Sequence, residues 1–117
     1  MKKYKRKNEN AMSLFEMSNL TKKDTGLPFI IWISPKSGKE KHWARIKVQF
    51  DNNYYPISIS DEPEWELSKQ IKLPFSANQT EMIKTFIRKN KDVLLEYWNS
   101  NGEMSMKDVF KKLKKFK

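Results

Sequence analysis

HWARIKVQFDNNYYPISIS, residues 42–60, decides the fold. Its first half alternates: His42, Ala44, Ile46, Val48 and Phe50 share one side, and Trp43, Arg45, Lys47 and Gln49 share the other. Period-two alternation is the signature of a half-buried strand. DNN (51–53) supplies turn chemistry. YYPISIS (54–60) alternates again, with Tyr55, Ile57 and Ile59 on one side and Tyr54, Ser58 and Ser60 on the other. Pro56 cannot donate to a ladder and favours an edge strand. The stretch therefore reads as a β-hairpin with one buried face.

Upstream, LPFIIWIS (27–34) is β-branched and aromatic and lies between prolines, so it reads as the preceding strand. PKSGKEK (35–41) suits a hairpin loop. Together the three segments make a three-stranded antiparallel meander. AMSLFEMSNL (11–20) is apolar enough to dock as a helical turn or an edge segment, and TKKDTG (21–26) reads as a turn-rich link.

Downstream, DEPEWELSKQIKLP (61–74) reads as an irregular connection. Ser76 three residues before Gln79 is a capping-box signal. Met82, Ile83, Phe86, Ile87, Val93, Leu94, Tyr97 and Trp98 follow at helical spacing, and Asn90 on the same stripe predicts a kink or restart at 89–91. Asn101-Gly102 ends that region, and Ser105 or a neighbour starts a last helix running to the C-terminus. The expected fold class is α+β: a three-stranded meander followed by two or three helices packed on one face. Residues 1–10 are expected as a basic flexible arm and 11–117 as a single domain ending in a lysine-rich amphipathic helix.

The net charge of +10 is not spread evenly. Lys2, Lys3, Lys5, Arg6 and Lys7 contribute +5, and the six lysines from 107 to 117 less Asp108 contribute another +5. The rest of the chain is formally neutral. Basic ends on a neutral body point to a polyanionic or acidic partner. No apolar run approaches the length that spans a bilayer, and the basic N-terminus lacks the apolar stretch of a secretory signal. A chain without cysteine has no disulfide, thiolate nucleophile or sulfur-ligated zinc, which fits a cytoplasmic location.

Catalytic material is sparse. His42 is the only histidine, and its strand parity sets it opposite Arg45 and Lys47, so a regular strand does not aim all three at one phosphate. Asp61, Glu62, Glu64 and Glu66 lack the spacing of a calcium loop, and the three glycines lie too far apart for a phosphate cradle. No catalytic residue, metal or cofactor is therefore assigned. Nucleic-acid binding has better material: Trp43, Arg45, Lys47 and Gln49 form a strip in which an aromatic alternates with cations, with Tyr54 beside it. MKDVFKKLKKFK (106–117) offers an apolar stripe of Met106, Val109, Phe110, Leu113 and Phe116, with lysines around it. Packing is its first expected role, polyanion contact its second and membrane contact its last.

TGLPFIIWISPKSG (25–38), HWARIKV (42–48) and VLLEYW (93–98) resemble a family of small, largely uncharacterised bacterial and mobile-element proteins found near toxin–antitoxin genes. The resemblance implies an α+β domain with its sheet before its helices. It supplies no catalytic residues.

The expected function is that of a non-enzymatic binding protein of phage or mobile-element type. It docks on a protein or ribonucleoprotein that handles nucleic acid and contacts RNA or DNA, with no membrane role. A concrete version is an inhibitor such as an anti-CRISPR protein of an RNA-guided nuclease. The binding residues expected are Lys2, Lys3, Lys5, Arg6, Lys7, Trp43, Arg45, Lys47, Lys111, Lys112, Lys114 and Lys115. The alternative is a toxin–antitoxin-type ribonuclease using His42 or the Arg45/Lys47 strip. The sequence leaves the oligomeric state open.

Overall fold

The expected hairpin forms with its reversal at 51–52; Asn53, expected in the turn, belongs to the strand that follows. In the computed structural model, which describes residues 17–36, 43–66 and 72–116, β3 (Arg45–Phe50) and β4 (Asn53–Ser58) pair antiparallel from Arg45↔Ser58 to Phe50↔Asn53. Asp51 takes the positive φ of 56° that the two-residue reversal needs, a conformation aspartate tolerates better than most residues. Pro56 costs the ladder nothing. Its carbonyl accepts from Glu66 N at 2.9 Å, so its missing N–H faces the 64–66 segment rather than β3. Trp65 bridges Ile57 across that edge.

The sheet has four strands, one more than the sequence pattern predicts. β1 (Ser18–Leu20) lies along β2 (Ile30–Ile33), and β2 lies along β3, giving the antiparallel order β1-β2-β3-β4. Three residues are too few for alternation to register in sequence, and Leu20 alone is buried there. The link at 21–26 holds a further difference, a single helical turn, α1 (Lys22–Thr25). Thr21 and Asp24 close a capping box on it, and Gly26 ends it at φ 79°.

α2 (Ala77–Lys89) starts at the Ser76–Gln79 capping box and breaks at Asn90; α3 (Lys91–Trp98) restarts at once. α4 (Met106–Lys112) is capped by Ser105 Oγ and stops five residues short of the expected end. Residues 113–116 continue as an extended strap.

The helices bury one face of the sheet. Leu20, Ile31, Ile33, Ile46, Val48 and Ile57 meet Ile83, Phe86, Ile87, Val93, Leu94 and Tyr97 in one core, and Val109 of α4 completes it. Each fully buried aliphatic or aromatic side chain contributes about 1.5–3 kcal/mol relative to exposure. Phe75 adds a satellite cluster, with rings of Phe29, Phe50, Tyr55 and Trp65 at centroid distances of 5.0, 5.7, 5.5 and 5.1 Å. Phe110 does not join the expected apolar stripe; it stays 44% exposed.

Candidate nucleic-acid interface

The opposite sheet face carries the odd-numbered positions of β3. Register places Trp32 of β2 beside Lys47, and Lys47 beside Pro56 of β4; one step along, Ile30, Gln49 and Tyr54 form the next row. Arg45 and Ser58 make the third row. Trp43, just before β3, is 82% exposed. The sequence strip Trp43–Arg45–Lys47–Gln49 is thus one side of a broader surface.

Trp32 and Tyr54 meet edge to face across this surface, with centroids 6.1 Å apart and an interplanar angle of 74°. Tyr54 keeps half its area exposed. With Met17 and Lys47 the two rings line a hollow of about 270 Å³ whose walls are mostly apolar. Trp32 Nε1 donates to Gln49 Oε1 at 2.7 Å, and Gln49 Nε2 donates to the Asp51 carbonyl at 3.1 Å. The Trp32 indole N–H and the Gln49 amide are therefore tied to one another and to the turn at Asp51.

The cations differ in setting. Arg45 Nη1 lies 3.4 Å from Glu66 Oε1, and both side chains are 20% exposed. Glu66 Oε2 is buried without a hydrogen-bond partner among the described residues. The carboxylate opposes much of the guanidinium charge while holding it against β4. Lys47 sits between Trp32 and Pro56, at the rim of the hollow.

The other expected binding residues fall elsewhere. Lys2, Lys3, Lys5, Arg6 and Lys7 lie outside the described residues, as does His42. Lys111 is exposed on α4, and Lys112 Nζ pairs with Glu96 Oε1 at 2.9 Å. Lys114 and Lys115 are exposed on the strap. The expected set is therefore not one site: Arg45 and Lys47 share the sheet face, the exposed Trp43 lies two residues before Arg45, and the C-terminal lysines belong to the α4 end.

Tyr54, expected beside the strip, and Trp32 complete the face; Trp32 joins it only once β2 is in register with β3. Trp32 alternates with the buried Ile31 and Ile33, which is the one signal the sequence carries for it. Among the described residues no group of three or more His, Cys, Asp or Glu is placed to hold a metal ion. Among them, too, no helix is long and apolar enough to cross a membrane. No protein-family model, curated protein or solved structure matches the chain.

Proposed function

We propose that this protein is a non-enzymatic binding module that holds single-stranded nucleic acid, RNA or DNA, on the open face of its sheet. One observation carries the reading: the sheet face turned away from the helices brings Trp32 and Tyr54 together with Arg45 and Lys47, and the exposed Trp43 lies just before β3. Unpaired bases offer ring faces to stack on, and exposed aromatics with nearby cations are how single strands are held. Stacking contributes about 1–3 kcal/mol per base and is tolerant of sequence. Gln49 is bonded on both its amide atoms, to Trp32 and to the Asp51 carbonyl, which leaves stacking on the rings as the main attraction of the hollow. The formal charge of +10 adds long-range attraction for the phosphate chain. Such a module acts beside an enzyme that handles the same strand, as a regulator or inhibitor; an RNA-guided nuclease is the concrete case.

The test is a tryptophan-fluorescence titration with oligo-dT and oligo-U at 50 and 150 mM salt. Quenching is expected with both, weaker at the higher salt. Trp43→Ala should weaken binding about 5- to 150-fold, the equivalent of one lost stack. Absence of quenching at 50 mM salt, or full affinity in the Trp43 variant, overturns the reading. Cleavage of the oligo-U would replace it with a ribonuclease.

A further inference from the structure

The open face does not end at the hollow. Gln49 borders the hollow through its bond to Trp32, and on its other side it lines a groove of about 270 Å³ with Lys22, Pro28, Phe29, Ile30, Phe50 and Asp51. The groove leads from the sheet face to α1. Hollow and groove are separate but adjacent, one on each side of the Trp32–Gln49 hydrogen bond; the first is lined by aromatics and the second reaches a lysine.

Beyond Lys22 the surface becomes basic and rigid. Lys22 and Lys23 are exposed on α1, whose single turn is fixed by its capping box. Asp24 of the same turn is held by Thr21: its Oδ2 accepts from Thr21 N at 2.8 Å and from Thr21 Oγ1 at 2.9 Å. The strap docks on the end of the same turn, with Phe116 N donating to the Thr25 carbonyl at 2.6 Å. Asn90 holds Lys114, and Lys89 Nζ donates to the carbonyls of Lys115 and Phe116 at 3.0 and 3.2 Å. Lys114 and Lys115 are therefore mounted on fixed backbone close to α1. Among the described residues Lys22, Lys23, Lys114 and Lys115 form no ion pair.

We infer that a single strand stacked on the sheet face runs on through the Lys22 groove and lays its phosphates on the patch made by Lys22, Lys23, Lys114 and Lys115. The inference rests on the single-strand reading above and adds the path, the length and the phosphate contacts. Trp43 and Gln49 lie six positions apart, at most about 20 Å of extended chain before the groove begins. Groove and patch extend the footprint to about eight nucleotides, within the range that compact single-strand-binding folds occupy. Cations on fixed backbone lose less freedom on binding than cations on a mobile tail, so the patch is suited to phosphate in advance. Asp51, exposed at the groove wall, opposes the path there, and Asp92 and Glu96, which line a hollow with Lys114, oppose it at the patch.

The experiment compares oligo-dT of 4 and 12 nucleotides on wild-type protein and on the Lys22→Gln/Lys23→Gln/Lys114→Gln/Lys115→Gln variant, both checked for fold by circular dichroism. In the wild type the 12-mer should bind more tightly than the 4-mer and with a steeper salt dependence. The variant should keep the 4-mer affinity and its tryptophan quench. It should lose about tenfold or more on the 12-mer at 150 mM salt, and its salt slope should shrink by roughly 2–3, about 0.7 per lost phosphate contact. Asp51→Asn should tighten the 12-mer alone. If the variant binds the 12-mer with wild-type affinity and slope, the path is wrong and the sheet-face reading stands. If neither protein is quenched by either strand, the sheet-face reading itself has failed.

Discussion

The side chain of Asn90 holds the backbone of Lys114 from both sides. Its Oδ1 accepts from Lys114 N at 2.6 Å, and its Nδ2 donates to the Lys114 carbonyl at 2.8 Å and to the Phe86 carbonyl at 3.0 Å. Asn90 is 2% exposed. One buried amide thus ends α2 and anchors the strap, mimicking the edge of a strand. Asn90→Ala leaves Lys114 N and its carbonyl without these partners, while the Phe86 carbonyl keeps the backbone N–H of residue 90; the expected cost is about 1–3 kcal/mol. Thermal unfolding should show that loss, and the amides of Lys114 and Phe116 should exchange with solvent far faster than in the wild type. Unchanged exchange at both would show that the strap is held without Asn90.

Phe75 is the second structural hinge of the fold. It stacks on Trp65 with a 5° interplanar angle and meets Phe29, Phe50 and Tyr55 nearly at right angles. Phe75→Ala removes the ring that ties the residues before α2 to the sheet. The expected cost is about 3–5 kcal/mol, and Phe75→Leu, which refills most of the volume, should recover more than half of it. Chemical denaturation of both variants measures this.

What the sequence discloses follows the range of each interaction. The β3–β4 hairpin, the Ser76–Gln79 box and the helix break at Asn90 are legible because period, cap and turn are local signals. Phe75 is not, because nothing within a few residues of it shows that four distant rings converge there. Asn90 reads as a flaw in an apolar stripe, and only the strap 24 residues later explains it. The strap is hidden for a similar reason. Leu113 and Phe116 fall at helical spacing, yet Asn90, Lys89 and Thr25 offer the backbone better partners outside a helix. On the candidate face, parity places Trp43, Arg45 and Lys47 together. Trp32 and Tyr54 join them through cross-strand register, and Lys22 through the groove, and neither of these is written in any one segment.

Lys91 titrates above the ordinary lysine value. Its ammonium donates to Asp61 Oδ1 at 2.8 Å, and that hydrogen bond raises its pKa most, followed by the charges of Asp61 and, more weakly, Asp92. The raised group favours the fold fully below the ordinary lysine value, and the benefit is lost as the pH climbs through the raised one. NMR titration of the Lys91 side chain should show the upward shift. Asp61→Asn should return it toward normal and remove its share of the alkaline loss of stability. A Lys91 titration that does not move in Asp61→Asn would mean the pair does not persist in solution.

If the sheet face holds a single strand as proposed, the Arg45–Glu66 pair sets stability against binding. The carboxylate lies 3.4 Å from the guanidinium on the face where a phosphate would sit, so it steadies Arg45 and competes with the strand for it. Glu66→Gln keeps the shape and one acceptor but removes the opposing charge. The fold should lose about 1 kcal/mol, because a partly buried pair is worth more than an exposed one and Gln keeps part of the contact. Affinity for single strands should rise severalfold at low salt, and the salt slope should steepen by up to about 0.7, one additional phosphate contact. The signature is the opposition of the two changes: a lower melting temperature with tighter binding. A purely structural Arg45 would lower the melting temperature and leave affinity and slope where they were. That result would confine the site to Trp43, Trp32, Tyr54 and Lys47.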